Sequence, residues 1–221
     1  MSLYVLVEGY RTEMLLYPAW IEILRPDLKR VRWPTDAQGL DYFLISGEGY
    51  PQLLNMIGNS ILDINNNNSF THFMIVVDAE NDDEEHKRQL ILDHIRDHYS
   101  DFDLSRVFVV VQVRTIETWL LANKRVVTRN PQDKILAEYL VHYNVSIHDP
   151  EFMPLHSYFD YHAQFHFDYL KRLFVEKHIC YTKINPGAAK TKTYFNQLVN
   201  RSNQNHITSF KKFVDYMASL Q

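Results

Sequence analysis

Two apolar segments of this 221-residue chain each end abruptly at an acidic residue. The first covers Leu3–Val7 and ends at Glu8, and the second covers Phe73–Val77 and ends at Asp78. A short, continuous apolar run is typical of a strand that is buried on both faces, as in a parallel sheet. Open parallel sheets bind ligands at the carboxyl ends of their strands. The two segments therefore predict a parallel sheet with acidic side chains at that edge.

The first 124 residues alternate between strand and helix patterns, which predicts an open, mainly parallel α/β sheet with helices on both faces. Further strands are predicted over Asp41–Ser46 and Arg106–Val113. Helices in this part are predicted over Thr12–Leu24, Tyr50–Ile64, Asp83–Tyr99 and Ile116–Ala122.

After Asn123 the pattern becomes helical, with prolines between the segments. We therefore expect an α/β domain over residues 1–124 and a helical C-terminal extension over residues 125–221. The helices of this extension are predicted over Pro131–Tyr143, Tyr158–His178, Thr191–Asn200 and Ser209–Leu220.

The composition is that of a globular protein, with 46% hydrophobic and 23% charged residues. The single cysteine, Cys180, excludes an intramolecular disulfide and a cysteine-based zinc cluster, and it favours a reducing, cytoplasmic setting. The sequence shows neither a signal peptide nor an apolar run long enough to span a membrane. We expect a cytoplasmic protein without a membrane partner.

Charge is unevenly distributed along the chain. Residues 1–150 contain 14 Lys and Arg against 22 Asp and Glu, whereas residues 151–221 contain 9 against 5. An acidic part that carries the site, joined to a basic part, suits a metal-assisted enzyme that acts on a polyanion. The alternative is chance, because differences of this size are common between domains.

Three acids are the main candidates for chemistry, namely Glu8, Asp78 and Glu80. Adjacent parallel strands would bring them together, and Asp78 and Glu80 lie on the same side if the chain between them is extended. Clustered carboxylates repel one another and usually need a cation. Their hard oxygen atoms favour Mg²⁺ or Mn²⁺, with Ca²⁺ as an alternative.

Three further acids, Glu13, Asp82 and Glu117, lie close to predicted helix starts. Each is a candidate metal ligand, but each also has a structural explanation, because acids are favourable in the first turn of a helix. Asp82 or its neighbour Asp83 can instead cap the helix that follows. The sequence leaves both interpretations open for all three.

Basic and imidazole side chains form the remaining candidates. Lys183, Lys190 and Lys192 lie in a segment that either grips phosphates or is simply solvated, and the glycine pattern of a P-loop is missing. Two histidine pairs have the four-residue spacing that can hold a metal on a helix. We favour aromatic packing for the pair at His162 and His166, because Tyr and Phe residues surround it. The other pair is His94 and His98.

The order of several short motifs resembles the Toprim domain of topoisomerases, bacterial primases and the overcoming-lysogenization-defect nucleases. These motifs are Glu8-Gly9, then Thr12-Glu13, then Asp78-Ala79-Glu80 after an apolar strand. In addition, Glu117–Ala122 is similar to a Glu-x-Trp-Leu-Leu-Ala signature in small Toprim-like proteins of bacteria and their mobile elements. The resemblance covers about residues 1–124, with a weaker likeness near Ser209–Leu220.

The resemblance implies Mg²⁺-dependent phosphoryl transfer on nucleic acid, in a role linked to mobile elements or phage defence. It implies that Glu8 acts in acid–base chemistry or binds metal, and that Asp78 binds Mg²⁺. Glu80 stands where the family has a second Asp. The leading hypothesis is a metal-dependent nuclease; a non-catalytic module that binds nucleic acid or a protein partner is the alternative, and a phospho-acceptor receiver domain fits poorly. The sequence leaves open whether the protein forms a homodimer.

Overall fold

The computed structural model describes residues 1–220 and shows an α/β fold built on an all-parallel sheet. Within those residues the sheet has five strands in the order β2-β3-β1-β4-β5. The strands are Ser2–Val7 (β1), Lys29–Arg30 (β2), Asp41–Ser46 (β3), Phe70–Asp78 (β4) and Val107–Gln112 (β5). The predicted fold class is confirmed, including the helical C-terminal part.

Eight α-helices lie within residues 1–220, and each corresponds to a predicted segment. They are Glu13–Leu24 (α1), Gln52–Asn66 (α2), Glu84–His98 (α3), Ile116–Leu121 (α4), Lys134–His142 (α5), His162–Glu176 (α6), Lys192–Ser202 (α7) and Thr208–Ser219 (α8). The largest difference at a helix start is in α6, which begins at His162 and not at Tyr158. None of the described helices combines the length and apolar character that a membrane crossing requires.

The central strand β1 explains why its sequence is continuously apolar. It pairs in parallel with β3 on one side and with β4 on the other, so that Val7 lies opposite both Ser46 and Val76. All six residues of β1 are fully shielded from solvent, which requires cover on both faces of the sheet. The carboxyl ends of β1, β3 and β4 consequently lie at the same edge of the sheet.

The chain divides into two compact units. The first contains residues 1–77, residues 83–111 and the C-terminal residues from Tyr216; the second contains residues 78–82 and residues 112–215. The second unit thus includes a short acidic segment that follows the body of β4. The boundary that we predicted between residues 124 and 125 stays a prediction.

In the first unit, aromatic residues pack around β1. The ring of Tyr4 meets the rings of Phe43, Phe70 and Phe73 edge to face, with centroids 5.1–5.6 Å apart. Its hydroxyl donates a hydrogen bond of 2.8 Å to Asp63. A buried tyrosine therefore keeps a polar partner within an otherwise apolar layer.

In the second unit, α4 and α8 meet at Trp119. This fully buried side chain donates from its indole nitrogen to the Ser209 hydroxyl at 2.7 Å. The Ser209 hydroxyl in turn donates to the buried carboxylate of Glu151. Glu151 also accepts from the Thr208 amide at 2.9 Å and the Ser209 amide at 3.1 Å, so it caps the start of α8. Trp119 is therefore a core residue.

Candidate functional site

Glu8 lies where β1 leaves the sheet. Its amide donates to the Val76 carbonyl at 2.9 Å, and its own carbonyl accepts from the Gly49 amide at 2.9 Å. The backbone at Glu8 is therefore held on one side by β4 and on the other by the loop that follows β3. The side chain is half-buried, so a carboxylate is fixed at the sheet edge with part of its surface open to solvent.

Glu13 is the first residue of α1, and it is only 8% exposed. Its carboxylate lies directly against the backbone of Gly9, where a Cβ atom would stand 2.5 Å from Oε1 and closer still to Oε2. Any side chain at Gly9 would displace this carboxylate. Glu13 is therefore not a solvated first-turn acid. Its buried carboxylate occupies the space that the missing side chain of Gly9 leaves open.

The acidic segment at the end of β4 belongs to the second unit and is fixed to the last residue of β5 and to the turn that follows it. The Ala79 amide donates to the Gln112 carbonyl at 2.9 Å, and the Glu80 amide donates to the Arg114 carbonyl at 3.0 Å. The Arg114 guanidinium returns a hydrogen bond of 2.8 Å to the Glu80 carbonyl. Asp78, the last residue of β4, is half-buried.

Glu80 does not continue the strand. Its φ of 53° and the φ of 66° at Arg114 are left-handed values, which are costly for residues other than glycine. The expectation that Asp78 and Glu80 face the same side of an extended chain is therefore wrong, because the strand ends at Asp78 and Glu80 lies in a turn. Strained backbone held by reciprocal hydrogen bonds is typical of functional segments.

Asp82 and Asp83 differ in their roles. Asp83 is the N-cap of α3, and its carboxylate accepts from the Glu85 amide at 2.9 Å and from the His86 amide at 3.2 Å. Asp82 is exposed in the turn, and its amide donates to the Ala79 carbonyl at 2.8 Å. The structural explanation by helix capping is confirmed for Asp83.

Glu117 lies in the first turn of α4 and is only 4% exposed. Its carboxylate accepts a hydrogen bond of 3.2 Å from the Tyr181 hydroxyl. The next residue, Thr118, is fully buried and pairs through its hydroxyl with Nδ1 of His166 at 2.8 Å. The Glu-Thr-Trp motif therefore directs all three of its side chains into the second unit.

A pocket of about 280 Å³ lies beside the Glu80 turn within the second unit. Its walls are Glu80 and Asn81 on one side and residues 161–164, the N-terminal end of α6, on the other. Sequence reasoning missed this pocket, because it placed the start of α6 four residues too early. The start of α6 carries no capping signal in the sequence, because its N-cap residue is Tyr161, whose side chain makes no capping hydrogen bond.

Both histidines of α6 have a pKa below the ordinary value of a histidine. Burial lowers the pKa of His166 to about 3, and the neighbouring His162 and Arg114 act in the same direction. Burial, followed by the charge of Arg114, also lowers the pKa of His162. Their ring centroids lie 5.6 Å apart, and Phe165 packs beside His166 as the aromatic pattern predicts.

The three candidate lysines are exposed to solvent. Lys183 lies with its ammonium group 5.4 Å from the Phe167 ring centroid. Lys190 ends a short 3-10 helix, and Lys192 begins α7. Exposure suits both a phosphate-gripping segment and a solvated one, so their role in binding stays a prediction.

The donor set can be compared with what Mg²⁺ requires. Within residues 1–220, no group of three or more His, Cys, Asp or Glu side chains is arranged around a common metal position. Mg²⁺ commonly binds proteins through one or two carboxylates and fills its shell with waters and substrate phosphates. Each compact unit supplies acids of this kind: Glu8 and Glu13 in the first, Asp78 and Glu80 in the second. Their oxygen atoms fit the ion in chemical type.

Comparison with known proteins finds no match: no protein-family model, no curated protein and no solved structure is significantly similar to this chain. The likeness to Toprim domains rests on the short motifs quoted above. What it implies about metal, substrate and residue roles stays a prediction.

Proposed function

We propose that the protein is a Mg²⁺- or Mn²⁺-dependent nuclease, or a related phosphoryl-transfer enzyme, that acts on nucleic acid in the cytoplasm. One observation carries the proposal. Glu8 follows β1 and Asp78 ends β4, and these are adjacent parallel strands whose carboxyl ends share one edge of the sheet. That edge is where open α/β sheets bind their ligands.

Residue roles follow from position and burial. Asp78 and Glu80 supply carboxylate oxygens for the cation, and Glu8 acts as general base or as a further ligand. A divalent cation, when bound, neutralises phosphate charge and lowers the pKa of a bound water. Glu13 holds the Gly9 turn in place, and Asp82 is a candidate ligand in the exposed turn.

Glu117 has a supporting role in this proposal. It is buried and already accepts a hydrogen bond from Tyr181. A carboxylate in that position sets the local electrostatic potential and orients its neighbours without needing to touch the substrate. We therefore assign it to positioning within the second unit.

The substrate class follows from charge. Residues 151–221 have a net charge of +4, and Lys183, Lys190 and Lys192 are exposed on their surface. Basic side chains of this kind contact phosphates without reading sequence. Binding should therefore weaken as salt concentration rises, and replacing the three lysines should reduce that dependence.

The test is cleavage of single- and double-stranded DNA and RNA in Mg²⁺ and in Mn²⁺. Glu8→Gln should abolish turnover and leave substrate binding largely intact, because it removes a proton acceptor or ligand with little change in shape. Glu22→Gln, an exposed acid on α1, is the matched control and should remain active. Binding without cleavage would favour a non-catalytic nucleic-acid module. A protein that neither binds nor cleaves any of these nucleic acids would contradict the proposal, and this result would point to a protein partner.

A further inference from the structure

Basic residues are concentrated at one edge of the sheet in the first unit. Lys29 and Arg30 form the edge strand β2, and Arg32 follows two positions later. Residues 1–77 contain five lysines and arginines against eight acids, and three of those five lie within four positions. Trp33 comes next, and we call residues 29–33 the basic segment. This concentration of positive charge in an acidic part of the chain needs an explanation.

The three cations of the basic segment have no anionic partner. The side chains of Lys29, Arg30 and Arg32 are exposed, and within residues 1–220 none of them forms an ion pair or a hydrogen bond. By contrast, the nearby Arg25 binds Asp27 through its guanidinium group at 2.7 Å. A guanidinium group presents a fixed set of donors that matches a phosphate or a carboxylate. The basic segment therefore has donors available for an external anion.

Two of these cations line a groove of about 290 Å³. Arg30 and Arg32 lie two positions apart and share this groove with Val31 and Leu44. Its lining among the described residues thus consists of two guanidinium side chains and two apolar side chains, without an acid. Such a lining suits a ligand that combines negative charge with apolar surface, as a sugar–phosphate backbone does.

Acids close to the basic segment in sequence do not line this groove. Glu22 and Asp27 line a different groove, which lies between α1 and β2. The Asp36 carboxylate accepts a hydrogen bond of 3.2 Å from the Trp33 amide, so it holds the turn that follows the segment. The groove at Arg30 and Arg32 therefore keeps its positive charge.

Trp33 adds an aromatic surface to the basic segment. Its side chain is 58% exposed, and the Arg32 guanidinium lies 5.4 Å from the indole centroid. The backbone beneath it is fixed, because the Val31 amide donates to the Tyr42 carbonyl at 2.9 Å and the Trp33 carbonyl accepts from the Asp36 amide at 3.0 Å. An exposed ring on a fixed backbone, next to cations, is typical of surfaces on which unpaired bases stack.

Protection of the sheet edge is the alternative explanation for these charges. Charged side chains on an edge strand prevent pairing with the edge of another molecule. This accounts for Lys29 and Arg30, which form β2. It does not account for Arg32, which lies beyond the strand, or for Trp33, whose exposed indole adds apolar surface at the same place. A ligand that is both anionic and aromatic accounts for all four residues.

We propose that the basic segment is a binding surface for single-stranded nucleic acid, in which Arg30 and Arg32 contact phosphates and Trp33 stacks on an unpaired base. An acidic peptide would satisfy the guanidinium groups but offers the indole no base. In a duplex, the faces of the bases are already stacked on one another. The inference rests on the proposed function only for the class of polyanion, and it requires neither a metal nor cleavage.

Tryptophan fluorescence reports on this surface directly, because the other two tryptophans, Trp20 and Trp119, are fully buried. In EDTA, a thymidine oligonucleotide of about 20 nucleotides should quench the emission, and Trp33→Phe should abolish the quenching. A DNA duplex and polyglutamate of equal charge should leave the emission unchanged. Equal quenching by polyglutamate would overturn the inference and point to an acidic peptide. Absence of quenching by the oligonucleotide would also overturn it.

Charge reversal separates nucleic-acid binding from edge protection. The double variant Arg30→Glu, Arg32→Glu keeps the edge charged, so it should stay monomeric and keep its melting temperature, but it repels phosphates. Affinity for the oligonucleotide should fall at least ten-fold. The slope of log affinity against log salt concentration should fall by about 1.4, because each phosphate contact with a single strand contributes about 0.7.

A matched control makes the same change in net charge elsewhere. Arg125 and Arg129 are exposed in the second unit, outside the lysine-bearing segment. The double variant Arg125→Glu, Arg129→Glu should alter affinity at most three-fold. Equal losses in the two double variants, or no loss in the first, would refute the surface.

The results also distinguish this inference from the proposed nuclease activity. Quenching of Trp33 in EDTA without cleavage of any nucleic acid in Mg²⁺ or Mn²⁺ would refute the enzyme and keep the surface. Cleavage of the oligonucleotide without quenching, at equal rates by the wild type and the Arg30→Glu, Arg32→Glu protein, would keep the enzyme and refute the surface.

Discussion

Replacing Gly9 with alanine places a methyl group where the Glu13 carboxylate lies. The new Cβ would stand 2.5 Å from Oε1 and closer to Oε2, whereas ordinary contacts are 3.4–4 Å. The carboxylate therefore has to retreat by roughly 1 Å, and overpacking of this kind typically costs about 1–3 kcal/mol. Part of that cost is offset, since alanine also restricts the unfolded chain, by about 0.4–1 kcal/mol. We expect a net loss of about 1–2 kcal/mol in the free energy of unfolding.

Urea denaturation measures this loss, and two controls make it specific. Gly39→Ala is the matched variant, because nothing lies within 4 Å of a Cβ atom at that position. In a Glu13→Ala background, Gly9→Ala should become neutral or stabilising, because the clashing group is gone. Displacing an acid by about 1 Å can lower turnover about 100-fold, so cleavage should fall as well. With Glu13 in place, a Gly9→Ala protein as stable as Gly39→Ala would refute the reasoning, and so would an undiminished loss of stability in the Glu13→Ala background.

Two further predictions concern stability. Burial raises the pKa of Glu151 to about 7, so the folded state holds this proton more tightly than the unfolded state. The free energy of unfolding should therefore fall as pH rises from about 4.5 to 7, by up to about 3 kcal/mol from this group. Glu151→Gln should flatten that slope in melts at several pH values, and an unchanged slope would contradict the assignment. Asp83→Ala removes the cap of α3 and should cost about 1 kcal/mol in urea denaturation, whereas Asp101→Asn, which lies outside the helices, should cost almost nothing.

The sheet could be predicted because its strands carry a local signal. β1 from Leu3 to Val7 and β4 from Phe73 to Val77 are continuously apolar, because these residues are buried, and short apolar runs of this length between turn signals favour buried strands. β2 was missed, because two exposed residues, Lys29 and Arg30, have no periodicity to detect. Only pairing with β3 makes them a strand.

The candidate acids could be found because they lie at or just after strand ends or near helix starts, but the geometry of Glu80 is set by distant residues. The turn at Glu80 depends on Arg114, which is 34 positions away in the chain. The start of α6 was misplaced because Tyr158 and Phe159 continue the aromatic spacing before the helix begins at His162. The pocket beside Glu80 arises from both features, so local patterns did not indicate it.

Divalent-cation binding by the Asp78→Asn protein tests the central claim most directly. Titration calorimetry of the wild-type protein with Mn²⁺ and with Mg²⁺ should show binding, and both ions should raise the melting temperature. Asp78→Asn keeps the side-chain shape and removes one anionic ligand, so affinity should fall at least ten-fold, about 1.4 kcal/mol. Asp101→Asn, exposed in a turn, should bind like the wild type. Equal affinities of the Asp78→Asn and wild-type proteins would contradict a metal site at the end of β4.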